Sequence, residues 1–397
     1  MWTALSPADK RYGFVNGLGA LGFLSSNLTH RVNSLNLGLY DQHYAIEWVQ
    51  NYITLFGGDP KQVTLFGESA GATSVGYHLL HVNGTAPFQR VIMDSGGPTA
   101  RAFPNWTYPL YQTQTEEFLN LTGCYKGDNE AATFACLRGL PVDTIKSASV
   151  SVFNKYNAAI TWPFQPVIDY EFIARPAHQS WESGQVNKVS ILTGFNSDEG
   201  AGFVPRNINT TEQFQQFFKN LAPAISSSQL DTVASLYPAP DVPGSPYANS
   251  AFSPQFSRIS AAYSDFAYIA QVQANAVYAS KLNLPVWKYH FAYLTPGADP
   301  ALGVVHASEL QYVSTVVAPK NPGQTADQSK LMNAYWSSFI AFGDPNKANS
   351  SAPAWLRYTI QNEAQIQFSN GTAYTEPDDI RRNATDFWRS IPDVLMH

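Results

Sequence analysis

Between Asp41 and Phe56, apolar and aromatic residues recur at helical spacing, so Tyr44, Ala45, Trp48, Val49, Tyr52 and Phe56 are expected to form the inward face of an amphipathic helix. Gly57-Gly58-Asp59-Pro60 then stops it, a glycine cap followed by a proline. The pattern changes at Gln62-Val63-Thr64-Leu65-Phe66, a short apolar run with the character of a buried strand, and turns helical again from Ala72 to about Leu80. Arg90–Met93, Val189–Thr193 and Val286–Phe291 read as further short strands. Ile259 to Leu282 and Ser329 to Phe342 read as long helices. Strands alternating with helices at this spacing predict an α/β fold, a mostly parallel central sheet with helices on both faces. No internal repeat or low-complexity tract occurs, and the Pro/Ser-rich stretches at 237–254 and 319–325 read as surface loops rather than domain linkers.

Composition narrows the function classes. The chain has 397 residues, 44% of them hydrophobic, enough for a large core. Only 14% are charged, and the net charge of -6 with no basic patch argues against a nucleic-acid partner. No apolar run approaches the length of a membrane span. Met1-Trp2-Thr3-Ala4-Leu5-Ser6 has neither the basic start nor the apolar core of a signal peptide. Yet N-x-S/T sequons stand at Asn27, Asn83, Asn105, Asn120, Asn209, Asn349, Asn370 and Asn383, which favours a secreted glycoprotein. The two cysteines, Cys124 and Cys136, fit no common zinc spacing. In an oxidising compartment they would close a short loop worth roughly 3 kcal/mol; in a reducing one they would be buried thiols.

The chemistry centres on Gly67-Glu68-Ser69-Ala70-Gly71. A G-x-S-x-G pentapeptide alone is weak, but here it lies between a strand and a helix, the context of a nucleophile elbow that lifts the serine hydroxyl above the sheet. Ser69 is therefore the candidate nucleophile. A serine needs a neutral imidazole to take its proton and a carboxylate to orient that imidazole. In α/β-hydrolases these follow in the order serine, acid, histidine. Three histidines come late enough: His290, His306 and His397. His290 lies inside an alternating strand, where a structural role is favoured, and His397 is the last residue. His306, in the loop-like Leu302–Glu309 stretch, is the favoured base. Asp198 and Glu199 both follow the Ile191–Thr193 strand, with Asp169 and Glu171 as weaker rivals. The residues alone do not choose between Asp198 and Glu199.

Beyond this spacing, several runs carry a resemblance. Gly38–Gln42, Trp48-Val49-Gln50, Phe56–Pro60 and Phe66–Gly71, followed by Ser95-Gly96, Asp198-Glu199-Gly200, Gly303–Glu309 and Gly343–Asn346, resemble the type-B carboxylesterase/lipase family, which includes cholinesterases and fungal secreted lipases. The match covers nearly the whole chain from about Leu18 and is nearest to the fungal extracellular members. It implies a single α/β-hydrolase domain over 1–397, with Glu199 as acid, His306 as base and Ser69 as nucleophile. It further implies the Ala70 N–H as an oxyanion donor, Glu68 and Ser95 around the imidazole, a Cys124–Cys136 disulfide, and no metal or cofactor.

The chain departs from the family at its start. Family members carry about a hundred further residues there, with the signal peptide, a disulfide loop that acts as a lid in some lipases, and a Gly-Gly oxyanion turn; a truncated or mis-started sequence is the expectation. Gly17-Leu18-Gly19 replaces a Tyr-Arg-Leu-Gly pattern whose arginine would pair with Asp41. Met1–Arg11 does not read as the expected strand, which would leave Val63–Phe66 as a bare edge.

The reading that follows is a serine hydrolase of small-molecule or lipid carboxylic esters, extracellular in its full-length form, working through an acyl-enzyme. Its activity should fall as His306 protonates, near or below about pH 6.5. The alternative is a catalytically impaired or non-catalytic cholinesterase-like remnant; a third reading changes the substrate to a peptide or thioester. Phe164, Phe256, Tyr263 and Phe266 are candidate pocket lining, each more often simply core.

Overall fold

The computed structural model describes residues 2–5 and 11–14 through their backbone, and residues 17–100, 104–314, 324–348 and 352–396. Asn349 and His397 lie outside the described residues. The centre is a sheet of eight strands: β1 (Trp2–Leu5), β2 (Arg11–Phe14), β3 (Thr64–Glu68), β4 (Arg90–Asp94), β5 (Ser190–Asn196), β6 (Val286–Phe291), β7 (Ala364–Ser369) and β8 (Thr372–Pro377). Their spatial order is β2-β1-β3-β4-β5-β6-β7-β8. From β3 to β7 neighbours run parallel, while β1 and β2 at one edge and β8 at the other are antiparallel.

Burial on both faces explains why the middle strands read as unbroken apolar runs. Val91, Met93, Ile191 and Val286 face one layer, with Val75, Leu79, Trp181 and Ala276. Ile92, Leu192, Trp287 and Tyr289 face the other, with Trp336, Phe339 and Trp355.

Two expectations are corrected. The edge of β3 is not bare: β1 pairs with it antiparallel, Thr3 opposite Phe66 and Leu5 opposite Thr64. Four residues are too short to signal a period, and β3's unpaired N–H and C=O groups accept any extended segment that reaches them. The first long helix (Leu37–Tyr52, continued by a 3-10 turn at Ile53–Phe56) buries Leu39, Gln42, Ile46 and Val49. Its aromatic stripe points outward instead, with Tyr44 67% exposed and Tyr52 47%. The exposed rings pack on one another, Trp48 lying 5.6 Å from both Tyr52 and Phe56. Both stripes have helical spacing, so periodicity could not say which one the sheet would take; it takes the slimmer aliphatic one. At the start, Asp41 accepts a hydrogen bond from Gly17 N–H at 2.9 Å in place of an arginine. Cys124 and Cys136 form a disulfide, with Cα atoms 5.5 Å apart.

Candidate active site

Strand β3 ends at Glu68, and the next helix begins at Ala70. Ser69 between them holds φ 58° and ψ -121°, a conformation that side chains rarely adopt. Such strain survives only where surrounding structure enforces it. Part of the enforcement is steric, because a Cβ at Gly67 would lie 2.2 Å from the Gly71 backbone. Gly71 itself is under no such constraint, for a Cβ there would meet nothing within 4 Å. As the first residue of the helix, Ala70 has an N–H with no intrahelical acceptor.

Strand β5 delivers the two rival acids, and the turn after it sends them in different directions. Asp198 Oδ2 accepts from Val304 N–H at 2.9 Å, holding the loop that carries His306. Glu199, fully buried, reaches the imidazole itself, with Oε2 2.5 Å from His306 Nδ1. Its other oxygen accepts from Ser95 Oγ at 2.6 Å and Asn196 N–H at 2.7 Å. Asp169 is occupied elsewhere, by Asn36 and the Ile173 N–H.

On the far side of the ring, His306 Nε2 lies 3.1 Å from Glu68 Oε1. Among the described residues, no hydrogen bond joins the Ser69 hydroxyl to the imidazole. Burial pulls the His306 pKa down, but Glu199 and then Glu68 push it up, to about 9. This is well above the value near 6.5 expected of an ordinary histidine. The carboxylates feel the same crowding. Burial pushes Glu68 up to about 7, with His306 opposing and Glu199 adding to the shift.

Two further buried acids were not anticipated as site residues. Glu309 accepts from Asn196 Nδ2 at 2.6 Å, and burial with Glu68 and Glu199 nearby pushes it up to about 8. Asp94 accepts from Trp336 Nε1 at 3.3 Å, and burial and Glu309 hold it well above the carboxylate range. The three-residue step from His306 to Glu309 was the one available signal for the first. Nothing in the chain pointed to the second.

Two aromatic rings complete the surroundings of the imidazole: Tyr268 at 4.6 Å and Phe203 at 5.2 Å between centroids. Ser69 and Ala70 open onto a cavity of about 290 Å³, walled by Phe23, Trp162, Phe164 and Tyr268. Of the four aromatics proposed as lining, Phe164 is there; Phe256, Tyr263 and Phe266 belong instead to an aromatic core with Phe214, Phe218 and Trp388. Those three sit on one helical stretch whose inner face packs against other helices, so their ring content reflects core filling. Among the described residues no group of three or more His, Cys, Asp or Glu has the arrangement to hold a metal ion, and no helix is long and apolar enough to cross a membrane.

A parallel sheet wrapped by helices, with a strained serine at a strand-to-helix turn and a Glu–His pair arriving from later strand ends, defines an α/β-hydrolase fold. The fold is shared with the crystal structure of EstA from Aspergillus niger, at a TM-score of 0.81 and 26% identity, over 96% of this chain and 74% of that one. The carboxylesterase family model matches residues 16–388, and the chain belongs to that family. It is 38% identical over 380 residues to Secreted lipase 4 of Gibberella zeae, covering 94% of this chain and 67% of that protein. It is 31% identical to Lipase 1 of Geotrichum candidum (91% and 64%) and 28% identical to the acetylcholinesterase of Bungarus fasciatus (96% and 63%). The chain thus spans about two thirds of the length of these relatives.

Proposed function

We propose that this chain is a serine hydrolase of carboxylic esters that works through an acyl-enzyme. The observation that carries the reading is the buried Glu199–His306 contact of 2.5 Å beside a serine held at positive φ over an apolar cavity. In the proposed cycle Ser69 Oγ attacks the ester carbonyl carbon, and the C=O electron pair moves onto oxygen, where the Ala70 N–H donates to it. His306 Nε2 takes the serine proton and returns it to the leaving alkoxide. Glu199 holds Nδ1–H throughout, so the imidazole presents the correct nitrogen. Water then repeats the sequence on the acyl-enzyme and releases the carboxylic acid. Before the first step Nε2 must leave Glu68 and meet the Ser69 hydroxyl while Nδ1 stays on Glu199.

The apolar walls of the cavity suit an acyl or alcohol group of modest size, and the names of the fungal relatives favour lipid or small-molecule esters. Six sequon asparagines, Asn27, Asn83, Asn120, Asn209, Asn370 and Asn383, are exposed and Asn105 is half-buried, which supports a glycosylated, extracellular protein. The experiment is hydrolysis of short and long p-nitrophenyl esters by the purified chain beside Ser69→Ala. Turnover that depends on Ser69 is the expected result; turnover unchanged in the variant overturns the reading.

A catalytically impaired protein is the second reading, favoured by the resting contact of His306 with Glu68. Covalent labelling of Ser69 by an organophosphate separates the two. One equivalent bound rapidly supports the hydrolase; a folded chain that takes none supports the impaired form.

A further inference from the structure

The helical stretch beside the active site is interrupted. An α-helix runs over Phe256–Ser264 and another over Ala270–Lys281, and between them Asp265–Ile269 forms a π turn. A π turn is wider than an α turn and less favourable, and it persists only where something holds it. Here Asp265, fully buried, accepts two parallel hydrogen bonds from Arg381, Nε at 2.8 Å and Nη2 at 2.7 Å. Its Oδ2 also accepts from the Tyr237 hydroxyl at 2.7 Å, and that hydroxyl accepts from Trp388 Nε1 at 3.0 Å. One residue earlier, Ser264 Oγ accepts from Gly200 N–H at 2.7 Å. A Cβ at Gly200 would stand 2.6 Å from Ser260 O, so the helix presses directly on the turn that bears Glu199.

The product of this clamp is the position of Tyr268. Its ring is 3% exposed, lies 4.6 Å from the His306 ring at a tilt of 44°, and stacks at 6.0 Å on Phe203 from the acid-bearing turn. We infer that Tyr268 is a positioning residue for His306: carried on a π turn clamped by Asp265 and Arg381, its ring holds the imidazole in line with Glu199 and favours the imidazolium that forms as Ser69 loses its proton. An aromatic face attracts a cation more than a neutral ring, so this contact strengthens during the reaction. The inference rests on the ester-hydrolase reading for its kinetic consequences and on geometry alone for the orientation of the ring.

Its test compares Tyr268→Leu with Tyr268→Phe, with p-nitrophenyl acetate as substrate. Loss of the ring should lower kcat roughly 10- to 100-fold, the scale on which a misplaced catalytic group acts. It should also move the acid limb of the pH profile to lower pH, because the imidazolium loses a stabilising face. The Phe variant keeps the ring and should restore both. Arg381→Lys, remote from substrate, cannot reproduce the paired contact with Asp265; it should lower kcat with KM unchanged. A second readout needs no turnover: the far-downfield proton resonance of the His306–Glu199 hydrogen bond should broaden or disappear in Tyr268→Leu and persist in Tyr268→Phe. A folded Tyr268→Leu protein with unchanged kcat, acid limb and resonance overturns the inference. Should the unsubstituted chain neither hydrolyse ester nor react with an organophosphate, the hydrolase reading fails, and the resonance still decides whether Tyr268 orients His306.

Discussion

His290 and His306 each lean on a glutamate, and the better-formed serine relay is the one at His290. There, Ser197 Oγ is 2.7 Å from Nε2 and Glu376 Oε1 is 2.8 Å from Nδ1. At His306 the glutamate contact is shorter, but Nε2 faces Glu68 rather than Ser69. What separates the two sites is what surrounds each serine. The N–H of Ser197 already donates to Phe291 O at 3.1 Å, and that of Asp198 to Val304 O at 2.9 Å, so neither can receive an oxyanion. Ser69 instead precedes a helix whose first N–H groups are unspent, and it borders a cavity. A row of hydrogen bonds from serine to histidine to glutamate is thus no evidence of catalysis by itself. Unspent backbone donors beside the serine are what the His290 relay lacks.

The sharpest way to break this comparison is to delete each serine. Ser69→Ala should cost on the order of 10⁴-fold or more in kcat, whereas Ser197→Ala should leave ester turnover within about twofold. Comparable losses in both would erase the distinction. Labelling with an organophosphate, read by peptide mass spectrometry, should likewise find the adduct on Ser69 and none on Ser197.

The pH profile sharpens the electrostatic half of the contrast. In the proposed cycle His306 must be neutral to accept a proton, and with its pKa raised to about 9, kcat/KM should rise through neutrality and level off only near that value. Glu68→Gln removes one of the carboxylates that favour the imidazolium and should move the acid limb to lower pH by about one unit. A limb that stays in place would show that Glu68 does not face the imidazole in solution.

Stability should report the opposite preference. His290→Ala removes a partner from both Ser197 Oγ and Glu376 and should cost about 1–3 kcal/mol, visible as a lower Tm, with kcat nearly untouched. Opening the Cys124–Cys136 loop with a double alanine replacement should cost roughly 2–4 kcal/mol and also spare kcat/KM. Loss of turnover in either folded variant would mean that the two regions are coupled.

Local signals account for what could be read in advance. The strand at Val63–Phe66, the glycine at 67 and the following helix lie within twenty residues, and their conformations are set by near neighbours; Ser69 could be singled out for that reason. Asp198 and Glu199 are adjacent and chemically alike, and only the turn after β5 sends one to the loop and the other to the imidazole. Resemblance, not spacing, had favoured Glu199. The outward aromatic stripe on the Leu37–Tyr52 helix defeated periodicity because two apolar stripes compete for one sheet face.

From the sequence alone came the order of elements, the nature of the sheet and the candidate nucleophile, since each depends on hydrophobic period and turn chemistry over short stretches. Only the tertiary structure added buried Glu309 to Glu68 and Glu199 near one imidazole and set Tyr268 against it. Those groups come from separate strand ends and a clamped π turn, and the energies that place them are burial and long-range charge, which leave no periodic trace along a chain.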